Sequence, residues 1–423
     1  MKEDFLHFLW KFQVWNSELT TEGGEYIEVV SPGIHNKNAG PDFLQARIRI
    51  GKMTLIGSVE IHIKSSDWNL HKHQQNSAYD NVVLHIVEEI DEIACTSNGC
   101  KLIHCCVKNN IPTGAKKRYE KWLQTKNFVS CQEHLQDIRP LIVNALMERL
   151  CVESIEKMSE NILIDYQYNQ QSWKETFYQH LLRAFGLKIN ADSFYGIARS
   201  LPLKVLLRHR ENLFQTEALL FGQAGLLDCH FKDNYPNSLR EEHSFLQFKY
   251  KLLPLKKGKI NFLRLRPSSF PTIRLALFAM LLQKRQDFFA LITELPNIRE
   301  IWRFFDVTTS EYWKNHYVFD RKTSYLRKHL GNMALNILVI NTIIPFMFAY
   351  GQSKGQQIFC DNAIEMLDKL PAENNNVIRE WEKYGIRVKN AIQSQGLLQL
   401  KKAYCSQSQC LNCNIACEIF RNS

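Results

Sequence analysis

The chain has 423 residues, 45% hydrophobic and 23% charged, with a formal net charge of +10. These proportions exclude wholesale disorder and predict two or three domains with large cores. The positive balance leans toward an anionic partner such as nucleic acid.

The N-terminal MKEDFLHFLWKF begins with acids and then places Phe5, Phe8, Leu9, Phe12 and Trp15 at helical spacing. It lacks the basic-then-apolar layout of a secretion signal, so a cytoplasmic protein is expected. Strand-like runs follow: EYIEVVSP, FLQARIRI, TLIGSVEIHI and NVVLHIVEEI, separated by Gly, Asn, Pro and Ser. The predicted order is a helix, three strands, a short polar crossover and a fourth strand. Beyond about residue 112 the periodicity becomes helical, as in PLIVNALMERLCVESIEKM and FPTIRLALFAMLLQK, with starts expected at Asp137 or Pro140 and at Pro271-Thr272. The apolar run MALNILVINTIIPFMFAY, residues 333–350, approaches the length of a membrane span. Asn336, Asn341 and Pro345 interrupt it, which predicts a buried helix and no membrane partner.

The predicted fold class is therefore α+β. An α/β domain over 1–111 carries an acid-bearing β-hairpin, an all-α domain covers 112–403, and a cysteine-rich, metal-binding tail covers 404–423.

In the hairpin, alternation puts Glu60, His62 and Lys64 on one strand face. A three-residue loop over 51–53 would pair Ile50 with Thr54 and set Asp42 opposite His62. A two-residue loop would turn Asp42 to the wrong face unless a bulge corrected it. Two carboxylates, Asp42 and Glu60, with a backbone carbonyl would suit Mg²⁺ or Mn²⁺. His62 or Lys64 would then position or deprotonate an attacking water. An acid, a histidine and a lysine alternating along a strand also describe an ordinary solvated face.

Pro41-Asp42 followed by Glu60-x-His62, on this order of elements, resembles the PD-(D/E)xK restriction-endonuclease-like nucleases. That resemblance covers about residues 1–110. It implies metal-dependent phosphodiester hydrolysis of DNA or RNA, with Asp42 and Glu60 as ligands and Asp42, Glu60, His62 and Lys64 as catalytic residues. The chain departs from that pattern where His62 occupies the lysine position, with Lys64 one step further on the same face. GIHNKNAGPDFLQARI, GSVEIHIKSSDWNLHKH, YDNVVLHIV, RLRPSSFPTIRLA and the terminal cysteine run together resemble a bacterial family carrying a domain-of-unknown-function label; this resemblance brings no activity with it.

His71 and His73 in the polar crossover, with His62 and His85, support a rival reading, a histidine-ligated Zn²⁺ or Fe²⁺ enzyme acting on a small molecule. His71 and His73 would alternatively contact substrate phosphate. The tail spaces Cys405, Cys410, Cys413 and Cys417 as C-x4-C-x2-C-x3-C, a pattern for Zn²⁺ or a [4Fe–4S] cluster in a structural role. Cys95, Cys100, Cys105 and Cys106 are irregularly spaced and read as thiols of a β-turn-β segment. Lys256, Lys257, Lys259, Arg264, Arg266 and Arg274 surround Phe262 and Phe270, a combination that could track a nucleic-acid backbone, with Arg264 and Arg266 as substrate contacts. The same stretch also reads as a solvated charged segment. A third alternative is a non-catalytic nucleic-acid-binding or scaffold protein with a degenerate nuclease fold.

Overall fold

A computed structural model describes residues 3–36, 38–256, 258–294 and 296–421. The protein is mixed α+β, a sheet unit with a large helical unit. Unit 1 comprises Met1–Met147, Asn375–Arg387 and Leu397–Ser423, and unit 2 comprises Glu148–Asn374 and Val388–Gly396.

Unit 1 begins with α1 (Glu3–Phe12), whose Phe5, Leu6, Phe8, Leu9 and Trp10 are buried. The strands are β1 (Leu19–Thr20), β2 (Tyr26–Ser31), β3 (Ile34–His35), β4 (Phe43–Ile50), β5 (Met53–Lys64), β6 (Val82–Glu89) and β7 (His104–Cys106). They form one sheet in the order β1-β2-β4-β5-β6-β7, with β3 also paired to β4. β4 and β5 are antiparallel, whereas β5–β6 and β6–β7 are parallel. The four predicted strand runs correspond to β2, β4, β5 and β6; the short β1, β3 and β7 have no counterpart among them.

The hairpin takes the second of the two arrangements that the sequence allows, the two-residue loop with a bulge. Ile50 pairs with Met53 across a two-residue turn, Gly51-Lys52, rather than with Thr54 across three residues. The register then slips between Phe43 and Ala46, where Gln45 adopts φ 57°, so Phe43 stands opposite Val59. A bulge re-aims the strand end and returns Asp42 to the face of Glu60. Gly33 makes room for it: at φ +87°, a Cβ there would lie 2.6 Å from the Leu44 carbonyl oxygen and 2.9 Å from the Ala46 nitrogen.

The crossover from β5 to β6 holds α2 (Asp67–Leu70) and two 3-10 turns, His73–Gln75 and Ser77–Tyr79. Its anchor is Trp68, fully buried with Tyr79, Val82, Ala94 and Leu102, and its indole N–H donates to the Cys95 carbonyl at 2.9 Å. Cys95 itself bridges Lys101 across a turn. Next come α3 (Ala115–Gln124) and α4 (Pro140–Tyr168), the latter opening at Pro140 as its fixed φ favours and belonging from Glu148 onward to unit 2. The last helix of the chain, Asn414–Arg421, also belongs to this unit. Its buried Phe420 ring lies 5.8 Å from Phe5, 5.4 Å from Phe8 and 5.0 Å from Trp122.

Unit 2 is a helical body around one large core. The apolar run occupies Asn332–Lys354, long and apolar enough by composition to cross a bilayer, with 67% of its most apolar window buried. A π-helical turn over Val339–Ile343 precedes Pro345, which has no N–H to donate. Glu217 is buried in this unit and accepts hydrogen bonds from the Tyr235 hydroxyl and, at 2.9 Å, from Ser310. Burial pushes its carboxyl up to about 7 despite those donors. The folded state therefore holds a proton that the unfolded chain releases near the ordinary carboxylate range. Stability must fall as pH rises from about 4.5 to about 7, by on the order of 1 kcal/mol per pH unit. Glu217→Gln should remove this slope, so that denaturation midpoints of variant and wild type diverge in the variant's favour between pH 5 and 7.5. Parallel midpoints at both pH values would refute the assignment.

Candidate functional site

The acids and histidines of unit 1 meet where the antiparallel hairpin gives way to the parallel β5–β6 pair. Asp42 and Glu60 interlock through each other's backbone. The Asp42 N–H donates to Glu60 Oε2 at 3.0 Å, and the Ile61 N–H donates to Asp42 Oδ2 at 3.0 Å. Without the bulge at Gln45 neither bond could form.

Two imidazoles approach Glu60, and a third lies against one of them. His62 Nε2 lies 3.5 Å and His73 Nε2 3.3 Å from Glu60 Oε1, and His71 Nδ1 is 3.2 Å from His62 Nε2. One ligand atom from each of His62, His71 and His73 falls within 4.8 Å of the others. The crossover delivers the last two: Lys72 takes a left-handed φ of 62° between them, and His73 stacks on Tyr79 at 3.9 Å with Trp68 at its edge. Behind them, His62 Nδ1 meets His85 Nε2 at 2.9 Å, and the His85 and His104 rings are 5.1 Å apart. His85, expected within an apolar strand, is thus the inner neighbour of the cluster.

Burial sets the electrostatics. Glu60 is 4% exposed and His62 2%. Burial raises the Glu60 carboxyl, with Asp42 adding to the rise and His73 opposing it. Burial, then the neighbouring His73 and His71, holds His62 down at about 4, so its imidazole is neutral at physiological pH. The donor set of three imidazoles and a carboxylate suits Zn²⁺, Mn²⁺ or Fe²⁺, whereas Asp42 with Glu60 offers the oxygen ligands that Mg²⁺ prefers.

Three residues here escape a reading of the sequence. His7 of α1 places Nε2 3.1 Å from Asp42 Oδ2; burial disfavours its cation, yet the Asp42 hydrogen bond and charge raise its basicity overall. Its one signal is a polar position within the apolar run Phe5–Trp10, one turn after Glu3. Glu3 itself is raised by burial and senses His71, Asp42 and His7. His35 stacks on Phe43 at 4.8 Å. His7 and His35 line a cavity of about 240 Å³ with Asp4, Phe8, Lys11, Tyr119 and Asn412.

Lys64 is not brought to this group: it is half exposed, its Nζ 3.9 Å from Glu89. Arg264 and Arg266 belong to unit 2, where both are exposed, Arg264 at φ 61°. Arg274 does not join a surface patch, being 7% exposed within the helix Pro271–Lys284, and Lys257 lies outside the described residues. None of Cys405, Cys410, Cys413 and Cys417 forms a disulfide.

Fold and site together define an α+β protein with a mixed sheet bearing a histidine–carboxylate cluster, buried at Glu60 and His62 and open to solvent at His71. The chain belongs to the family described as "Protein of unknown function (DUF2851)", whose model matches residues 3–376. That span includes every residue of the histidine cluster and ends before Cys405. No curated protein and no solved structure was found to match.

Proposed function

We propose that the protein is a metal-dependent hydrolase cleaving phosphodiester bonds in DNA or RNA. The observation that carries this is the grouping of His62, His71 and His73, two of which reach Glu60 directly beside Asp42. A divalent ion held by those imidazoles and Glu60, or by Asp42 and Glu60, would polarise the scissile phosphate and lower the pKa of water. Asp42, fixed by the Ile61 N–H, holds a carboxylate in place next to His7, which is positioned to carry a proton. The substrate class is supported by the resemblance of Pro41-Asp42 and Glu60-x-His62 to the PD-(D/E)xK pattern, in which His62 stands at the lysine position, and by the net charge of +10. A cavity of about 300 Å³ lined by Lys117, Arg118, Lys121 and His134 adds a cationic recess on the same unit.

A second reading, a histidine-ligated metalloenzyme for a small molecule, is favoured by the burial of Glu60 and His62 and by the small cavity at His7. The test is cleavage of single- and double-stranded DNA and RNA with Mg²⁺, Mn²⁺ or Zn²⁺, comparing wild type with Asp42→Ala and His71→Ala. We expect cleavage that falls by about 100-fold or more in each variant. Tight stoichiometric Zn or Fe without cleavage, lost on replacing His71 and His73, selects the second reading. Salt-sensitive nucleic-acid binding without cleavage or metal defeats both and leaves a binding protein.

A further inference from the structure

The buried acid of unit 2, Glu217, lies on the wall of a cleft of about 530 Å³. Its helix, Leu213–Gln223, also brings Leu213 and Phe214 to the lining, and Met280 comes from the helix Pro271–Lys284. Thr309 and Ser310 join from the segment just ahead of the short helix Glu311–Lys314. Ser310 is the N-cap residue of that helix, yet its hydroxyl makes no cap bond and donates to Glu217 Oε1 at 2.9 Å instead. Thr309 is 2% exposed, and its hydroxyl has no hydrogen-bond partner among the described residues. Behind these groups the wall is stiff: Tyr235 stacks on Tyr312 at 4.4 Å, Tyr312 stacks on His316 at 4.0 Å, and the Tyr312 hydroxyl donates to Asp233 Oδ2 at 2.8 Å.

Both Glu217 and Thr309 destabilise the empty protein. A buried hydroxyl without a partner forfeits the hydrogen bonds that water would supply. A buried carboxylate needs a cation beside it or a proton on it. Glu217 meets the hydroxyls of Tyr235 and Ser310 and has no cation partner among the described residues. Lys314, which lines the same cleft, is paired with Glu311. Positive charge and additional N–H donors are therefore what the cleft lacks.

We propose that this cleft binds a primary amine with an apolar body, its ammonium held by Glu217, Thr309 and Ser310 and its body by Leu213, Phe214 and Met280. A primary ammonium presents three N–H donors, and a carboxylate makes its hydrogen bonds to charged donors the strong ones. Each Glu217 oxygen accepts one hydroxyl from the protein and keeps a lone pair for a further donor. An alcohol of the same shape brings one donor and no charge, and a carboxylate meets Glu217 as a like charge. The volume suits a small organic molecule, and the stacked wall holds the polar groups in place before it arrives. This inference does not depend on the hydrolase reading.

The test is calorimetric titration of the full chain at about pH 7.5 with tryptamine and hexylamine, and with tryptophol and indole-3-acetate as the alcohol and acid counterparts of tryptamine. We expect tryptamine to bind at a single site per chain, tryptophol to bind about ten-fold or more weakly, and indole-3-acetate not to bind. Glu217→Gln should weaken tryptamine about ten-fold or more and leave tryptophol within about two-fold. Thr309→Val should weaken tryptamine by about three-fold or more. Each variant removes a group that destabilises the empty protein, so both should match or exceed the wild type in denaturant midpoint, which separates lost binding from misfolding. Tryptophol binding as tightly as tryptamine, an amine affinity unchanged in Glu217→Gln, or no binding of either amine to wild type would overturn the proposal. Binding and stability lost together in both variants would overturn it as well.

Discussion

Glu60→Ala should lower both metal affinity and hydrolysis by about 100-fold or more, with a much smaller change in folding stability. The carboxylate touches the cluster at two points, 3.5 Å from His62 and 3.3 Å from His73, and its other oxygen receives the Asp42 N–H. Its removal deprives the imidazoles of their negative neighbour and frees the strand end that carries Asp42. An N–H left without its acceptor costs about 1–3 kcal/mol. Removing a buried acid, whose charge burial already disfavours, offsets part of that cost. Glu60→Gln separates the two effects, since its amide oxygen can still accept from Asp42 while the charge is gone. Titration with Mn²⁺ and Zn²⁺, alongside cleavage rates for the three proteins, decides the matter. Unchanged metal affinity in Glu60→Ala would remove Glu60 from the site.

Phe420→Ala should be the most damaging single truncation in unit 1, at about 3–5 kcal/mol. The ring is fully buried and packs edge-on against Phe5 and Phe8 of α1 and at a tilt against Trp122 of α3, so its loss opens a cavity among three helices. Phe5 in turn stacks on Tyr119 at 5.2 Å, which spreads the loss along α1. Chemical denaturation followed by the fluorescence of Trp10 and Trp122 measures the cost. Leu at this position should recover more than half of it. A change below about 1 kcal/mol would mean that the helix Asn414–Arg421 is a dispensable cover.

Much of the sheet is legible in the sequence because it obeys period two. ARIRI and VEIHI alternate, so the face of Glu60 follows from residue order, whereas that of Asp42 depends on the turn length and on a bulge as well. A bulge is a condition of the two-residue turn, but its place at Gln45 depends on the close approach of Gly33, a contact that no local pattern encodes. His71 and His73 stand out as a pair in a polar loop, but the ring of His73 is aimed by Trp68 and Tyr79 and that of His71 by His62 and His73. His7 carries little signal because it joins Asp42 through tertiary contact. Arg274 reads as a surface cation because its neighbours Lys259 and Arg264 are exposed, whereas the helix that holds it is buried nearly all round.

The composition of unit 1 from three stretches has a consequence in time. On a ribosome α1 emerges before any residue of unit 2, yet Phe420, which covers it, emerges after all of them. The helical unit can therefore fold while the sheet unit still waits. During synthesis Phe5 and Phe8 need a temporary partner, whether a chaperone or a non-native contact. The contacts that close unit 1 span almost the whole chain, which places it among slow, high-contact-order folders. The unit whose synthesis starts earlier is the one completed later.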